Sequence, residues 1–189
     1  MTNGRLSYIF GAFFAPILAA SARTAQDTPK APVCIDTTST LNELRKLPDE
    51  QPDLLSKFEK IMSNLLQRAG AKGAVFPEHY PDEDGAGRVD MAIFPSDDTQ
   101  SVVLIEAKAG RLTEERLARA EQQVRQYVIA RRASLGVVLY YDTAGRAFPP
   151  HRTVPRVIRL SIEELAARLT SQSLTKVMSD VIGETLGRM

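Results

Sequence analysis

Three ionisable residues in the middle of the chain are spaced for chemistry. Glu106 and Lys108 close an apolar, β-branched run over residues 102–108, two positions apart. Side chains alternate along a strand, so this carboxylate and this ammonium share one face. Upstream, Asp90 is the lone acid in the strand-like run Arg88-Val89-Asp90-Met91-Ala92-Ile93-Phe94. The order reads Asp-(x)n-Glu-x-Lys. Two carboxylates at one spot repel each other unless a cation lies between them. Oxygen-only donors favour a hard divalent ion, Mg²⁺ or Mn²⁺, over zinc. An ammonium beside such an ion orients a water or stabilises charge building on a phosphate oxygen. The chemistry this predicts is metal-dependent hydrolysis of a phosphodiester. Alternatively, Glu106 and Lys108 form a surface ion pair on an edge strand, a contact worth little. The buried character of residues 102–105 argues against that, because an unpaired charge there is costly.

These residues need elements to hold them. Leu54, Leu55, Phe58, Ile61, Met62, Leu65 and Leu66 recur at three- and four-residue spacing, which predicts a helix over 52–69 ended by Gly70. A short strand is expected at 73–77 and a loop at 79–87. Residues 88–94 and 101–108 then form a hairpin around the turn-rich Pro95-Ser96-Asp97-Asp98-Thr99-Gln100. A turn centred near Asp97 and Asp98 makes paired positions sum to about 195 or 196. Asp90 then lies opposite Ile105 or Glu106, and the second register sets the two carboxylates side by side. Thr113 is the expected N-cap of the next helix, with Glu114 and Glu115 in its first turn. Leu117, Ala120, Val124 and Tyr127 or Val128 give that helix its buried stripe, and Gln123 and Tyr127 share a face. Residues 135–141 are apolar almost throughout, as in a central strand covered on both sides. Of them, Tyr140 and Tyr141 are expected to divide between core and surface. A strand follows at 154–160, then a helix with a Ser161/Glu164 capping box running to about Thr170, then a last helix at 175–186. The fold class expected is α/β, a mixed central sheet flanked by helices.

Length suits one domain with a substantial core. The 189 residues carry 24 Lys and Arg against 23 Asp and Glu, a balance unlike that of a general nucleic-acid coat. The distribution is uneven. Residues 111–159 hold ten Arg against four acids, whereas residues 51–110 hold six bases against ten acids. An acidic half beside an Arg-rich half suits a metal site next to a phosphate-binding surface, or simply solvated faces. The single cysteine, Cys34, excludes an internal disulfide and a Cys-based zinc site. His79 and His151 lack metal-ligand spacing.

Residues 1–39 stand apart from a domain over 40–189. Residues 6–22 are apolar but for two serines, with Arg5 before them and Ala20-Ser21-Ala22 at their end. A signal peptide, a membrane anchor and an extension upstream of the domain all fit this segment. Residues 24–39 read as a linker.

In these motifs and their order, the chain resembles the PD-(D/E)XK nuclease superfamily, the restriction-endonuclease-like fold. The resemblance rests on Asp90, on Glu106-Ala107-Lys108 and on Gln123-Val124-Arg125-Gln126-Tyr127, the Gln-x-x-x-Tyr of RecB-like exonucleases, over residues 52–141. Val89 stands where the family pattern has Pro. The resemblance implies a helix-strand-strand-strand-helix-strand (αβββαβ) core. It further implies that Asp90, Glu106 and the Ala107 carbonyl hold Mg²⁺, and that Lys108 assists the attacking water. By the same resemblance Glu59 adds an acid from the first helix, and Gln123 and Tyr127 position the site or the phosphate backbone. The substrate expected is nucleic acid, DNA before RNA, with Arg116, Arg119, Arg125, Arg131 and Arg132 available for phosphates. No separate DNA-reading module is seen, so a partner subunit is expected to supply specificity, and a homodimer would suit cutting of both strands of a duplex. A cytoplasmic location is expected, with residues 6–22 leaving membrane anchoring or export open. The alternative function is a nuclease-fold subunit that binds nucleic acid or a partner without cutting.

Overall fold

Apolar residues at helical spacing bury one stripe of α2 (Leu54–Arg68), from Leu54 through Phe58, Ile61 and Met62 to Leu65 and Leu66. The computed structural model describes residues 34–47, 49, 51–75, 89–94, 102–149 and 156–186. All of them lie in one unit, Pro32–Met189. Before α2 comes α1 (Thr38–Arg45), and after it β1 (Lys72–Val75), β2 (Met91–Phe94) and β3 (Val103–Gly110). Gly110 has φ +107°, a left-handed value that suits glycine, and turns the chain off β3. Thr113 then caps α3 (Glu114–Ala130), its side chain accepting a hydrogen bond from the Arg116 amide as expected. β4 (Leu135–Asp142) and β5 (Val157–Ser161) follow, then α4 (Ile162–Leu169) and α5 (Leu174–Leu186). Ser161 caps α4 by accepting from the Glu164 amide at 3.0 Å.

The strands form one sheet in chain order, β1-β2-β3-β4-β5. β1, β2 and β3 pair antiparallel; β3, β4 and β5 pair parallel. Helices cover both faces. Val103, Ile105, Ala107 and Ala109 of β3 join the core built with α1, α2, α4 and α5. Leu104 of β3 and Val138 and Tyr140 of β4 join the core under α3, with Leu117, Ala120, Val124, Tyr127 and Val128. This is the expected mixed α/β sandwich. β4 is buried at all eight positions, as expected of a central strand with both faces covered.

Two expectations need correction. Residues 38–39, expected in a linker, start α1. The Asp36 carboxylate accepts from the Thr38 amide at 2.9 Å, and Leu44 buries against the core. Tyr140 and Tyr141 do not divide between core and surface. They divide between the two faces of a fully covered strand. Tyr140 packs edge-on against Phe148, and Tyr141 stacks on Phe58 and donates to the Leu44 carbonyl at 3.1 Å. The expectations for residues 6–22, for the loop at 79–87, for the turn at 95–100 and for both histidines lie outside the described residues. Among the described residues no helix is long and apolar enough to cross a membrane.

α3 lies close on the sheet because β4 offers it a glycine. A Cβ at Gly136 would overlap Val124 Cγ1 and stand 2.9 Å from Val128 Cγ2. Gly136→Ala is therefore expected to lift α3 and cost about 1–3 kcal/mol, as overpacking does. Urea denaturation would measure it, and an unchanged midpoint would show that the helix seat yields freely.

Candidate active site

The register of β2 on β3 decides whether the acids meet. Met91 pairs with Ile105, Ala92 with Leu104 and Ile93 with Val103, so the positions sum to 196. One further step along the same register sets Asp90 beside Glu106. Asp90 stands just ahead of β2, and its Oδ2 accepts from the Ala107 amide at 2.7 Å. A strand residue points its amide and carbonyl to the same side. The Ala107 carbonyl therefore faces the Asp90 edge, whereas its methyl is buried in the opposite core.

Glu106 and Lys108 point to the α3 face, in line with Leu104. Glu106 is 3% exposed. Its Oε1 accepts from Lys108 Nζ at 2.5 Å, while Oε2 is buried with no hydrogen-bond partner. Lys108 is only partly buried, so the pair is neither a surface contact nor a fully satisfied internal one. Burial and then the like charge of Asp90 push the Glu106 carboxyl up from 4.5 to about 7 against the pull of Lys108. The charge of Glu59, on half-buried ground in α2, is felt at Glu106 in the same direction. A cation beside Asp90 and Glu106 would relieve the repulsion between these two carboxylates.

α3 supplies the remaining expected residues. Gln123 donates from Nε2 to the Tyr127 hydroxyl at 2.7 Å. Tyr127 is 2% exposed and belongs to the core under α3, so its ring is an anchor and its hydroxyl a strut for Gln123. Gln123 itself lines a cavity of about 320 Å³ with Lys108, Arg116 and Arg119. Arg116, Arg119, Arg125 and Arg132 are exposed, Arg131 partly so.

Arg159, counted in the Arg-rich half, lies neither on a phosphate-binding surface nor on a solvated face. It is internal, its side chain fully buried. It donates from Nε and Nη2 to the two Glu121 oxygens, both at 2.9 Å, and from Nη1 to Glu114 at 2.7 and 2.9 Å. These bonds tie two of the acids of α3, Glu114 and Glu121, to β5. Spacing alone gave no sign of this contact, which spans 38 residues of chain. A second unforeseen fastening lies at the ends of β3 and β4. Asp142 accepts from the Leu112 amide at 2.9 Å and from Arg146, whose Nη2 returns to the Leu112 carbonyl at 2.5 Å. Burial works to raise the Asp142 carboxyl, but these bonds outweigh it and hold it below the usual carboxylate range. The clasp ties the segment just before α3 to the end of β4.

Asp90, Glu106 and the Ala107 carbonyl fit a hard divalent cation in two respects. They are oxygen donors along one edge, and one buried Glu106 oxygen lacks any other partner. The fit has a limit: among the described residues no group of three or more His, Cys, Asp or Glu side chains is arranged to hold a metal. No family model matches the chain, and no curated protein or solved structure matches it either.

Proposed function

We propose that the chain is a Mg²⁺-dependent nuclease of PD-(D/E)XK type that hydrolyses phosphodiester bonds in DNA. The observation that carries this is Glu106: buried, next to Asp90 in register, paired through one oxygen to Lys108 and unpartnered at the other. The order α2-β1-β2-β3-α3-β4 supports the restriction-endonuclease-like core that the motifs imply. Asp90, Glu106 and the Ala107 carbonyl would hold Mg²⁺, or Mn²⁺ in its place. When bound, the ion would neutralise the scissile phosphate and acidify a water. Lys108, two residues on and on the same face, orients the attacking water and offsets the charge that grows on the phosphate. Gln123, braced by Tyr127, positions the phosphate backbone from the α3 side. Glu106 is shielded by the core under α3, whereas Asp90 is only partly buried and open to substrate and water. Cutting both strands of a duplex would call for a second copy or a partner chain.

A second reading, a subunit that binds nucleic acid without cutting, draws support from the absence of a three-ligand side-chain cluster among the described residues. Cleavage separates the two. The full-length protein would be incubated with linear, circular, single-stranded and branched DNA and with RNA, in Mg²⁺, Mn²⁺ or EDTA. The expected result is cleavage in either metal, none in EDTA, and a fall of about 10²–10³-fold in Lys108→Ala. Binding with no cleavage in any metal would favour the second reading.

A further inference from the structure

The first turns of α3 hold two arginines, and of these Arg119 has a helical ion-pair partner whereas Arg116 has none among the described residues. Arg116 and Arg119 sit near the helix N-terminus, where the backbone dipole favours anions and disfavours cations. Both are exposed. Arg119 is held by Glu115, one turn before it. Arg116 makes no ion pair among the described residues, its backbone amide alone bonding Thr113. These residues line the cavity of about 320 Å³ that also reaches Lys108 and Gln123. The cavity therefore gathers three cations and an amide around a space wide enough for a phosphate and part of its sugar. Glu115 is its one acid. Guanidinium forks match phosphate oxygens two at a time, as they match a carboxylate. Glu115 on Arg119 thus has the place and charge that a phosphate would take.

We propose that this cavity is a subsite for a second phosphate of the nucleic-acid substrate, next to the bond that is cut. In the absence of substrate, Glu115 occupies its Arg119. The proposal rests on the reading of the neighbouring acids as a nuclease site, because Lys108 is shared between the cavity and Glu106. The incoming phosphate displaces the Glu115 carboxylate, takes both arginines and sets the strand in register with Lys108. The phosphate is an internal diester or a terminal monoester; the chemistry that recognises them is the same.

The test uses full-length protein in EDTA, where nothing is cut. Fluorescent single-stranded oligonucleotides with a 5′-phosphate or a 5′-hydroxyl would be titrated by anisotropy over a salt series, with inorganic phosphate as competitor. Arg116→Gln with Arg119→Gln is expected to weaken binding about tenfold or more and to flatten the salt dependence by about one to two counterions. Glu115→Gln is expected to tighten binding severalfold. All three side chains are exposed, and circular dichroism would confirm that the variants fold. A preference for the 5′-phosphate assigns the subsite to strand ends; equal binding of both assigns it to internal diesters. Unchanged affinity in the double variant, or in Glu115→Gln, would overturn the subsite. The two proposals fail separately. Arg-dependent binding by a protein that never cuts with Mg²⁺ keeps the subsite and removes the nuclease. Mg²⁺-dependent cutting that is indifferent to both arginines does the reverse. In a cutting enzyme the double variant raises KM more than it lowers kcat, as loss of substrate binding away from the reacting bond does.

Discussion

Glu106→Gln is expected to give a protein more stable than the parent at pH 8 and unable to cut. The folded carboxyl is raised from 4.5 to about 7 by burial and by Asp90. Between those values the folded chain keeps a proton that the unfolded chain has lost. The unfolded state binds fewer protons there, so stability falls as pH rises through this window. The contribution is intact below about 4.5 and gone above about 7. The loss is on the order of 3 kcal/mol. Glutamine has the shape of the protonated acid and does not ionise, so the variant escapes the fall. The attraction of Lys108 is already contained in the raised value and does not reverse the sign. Denaturation at pH 4.5 and at pH 8 would show matching stabilities at the lower pH and a gain for the variant at the higher. Mg²⁺ should raise the melting temperature of the parent at pH 8 and leave the variant where it was. Cleavage should drop by about 10³-fold or more. A variant that loses stability at pH 8, or that still cuts, would show that Glu106 is a structural acid.

Arg159→Met is expected to cost about 3–5 kcal/mol, the usual toll of breaking a buried ion pair from one side. Arg159 is buried outright, and it meets Glu121, itself 1% exposed, through two parallel hydrogen bonds. Glu114 adds two more from a largely exposed position. Removing the guanidinium strips Glu121 of that partner deep under α3. Pairing Arg159→Met with Glu121→Leu should recover most of the loss, since apolar residues of similar size replace such pairs at little cost. Urea curves on the two single variants and the double would give the coupling. A single-variant loss below about 1 kcal/mol, the scale of an exposed pair, would show that the clip holds nothing.

How far the sequence led depends on the range of the contacts concerned. Alternation put Glu106 and Lys108 on one face because a strand fixes that parity locally. A turn assumed near Asp97 and Asp98 narrowed the register to two choices, and Met91 opposite Ile105 selects the one that sets Asp90 beside Glu106. Thr113 and Ser161 were legible as caps because a cap is settled within three residues. α1 was missed because it has no acid in its first turn and buries only Thr40 and Leu44. Arg159 was grouped with the surface arginines because nothing near it in the chain announces Glu121. Tyr127 was expected in the buried stripe of its helix and on one face with Gln123, and its ring lies in the core while its hydroxyl accepts from Gln123. Glu59 is placed only as a charge that Glu106 feels.

The pairing Glu106–Val138–Arg159 runs straight across three strands. Two charged centres therefore share one face of the sheet, with a single aliphatic column between them. Strands about 4.8 Å apart put the two centres roughly 10 Å from each other. Val138 is fully buried, so no water enters between them to screen the field. The guanidinium is closed on partners of its own. Glu121 and Glu114 consume its charge on the far side of the column. β4 thus works as an insulator between a sealed circuit at β5 and a half-closed one at β3, where Lys108 takes one Glu106 oxygen and the other is left to whatever cation arrives.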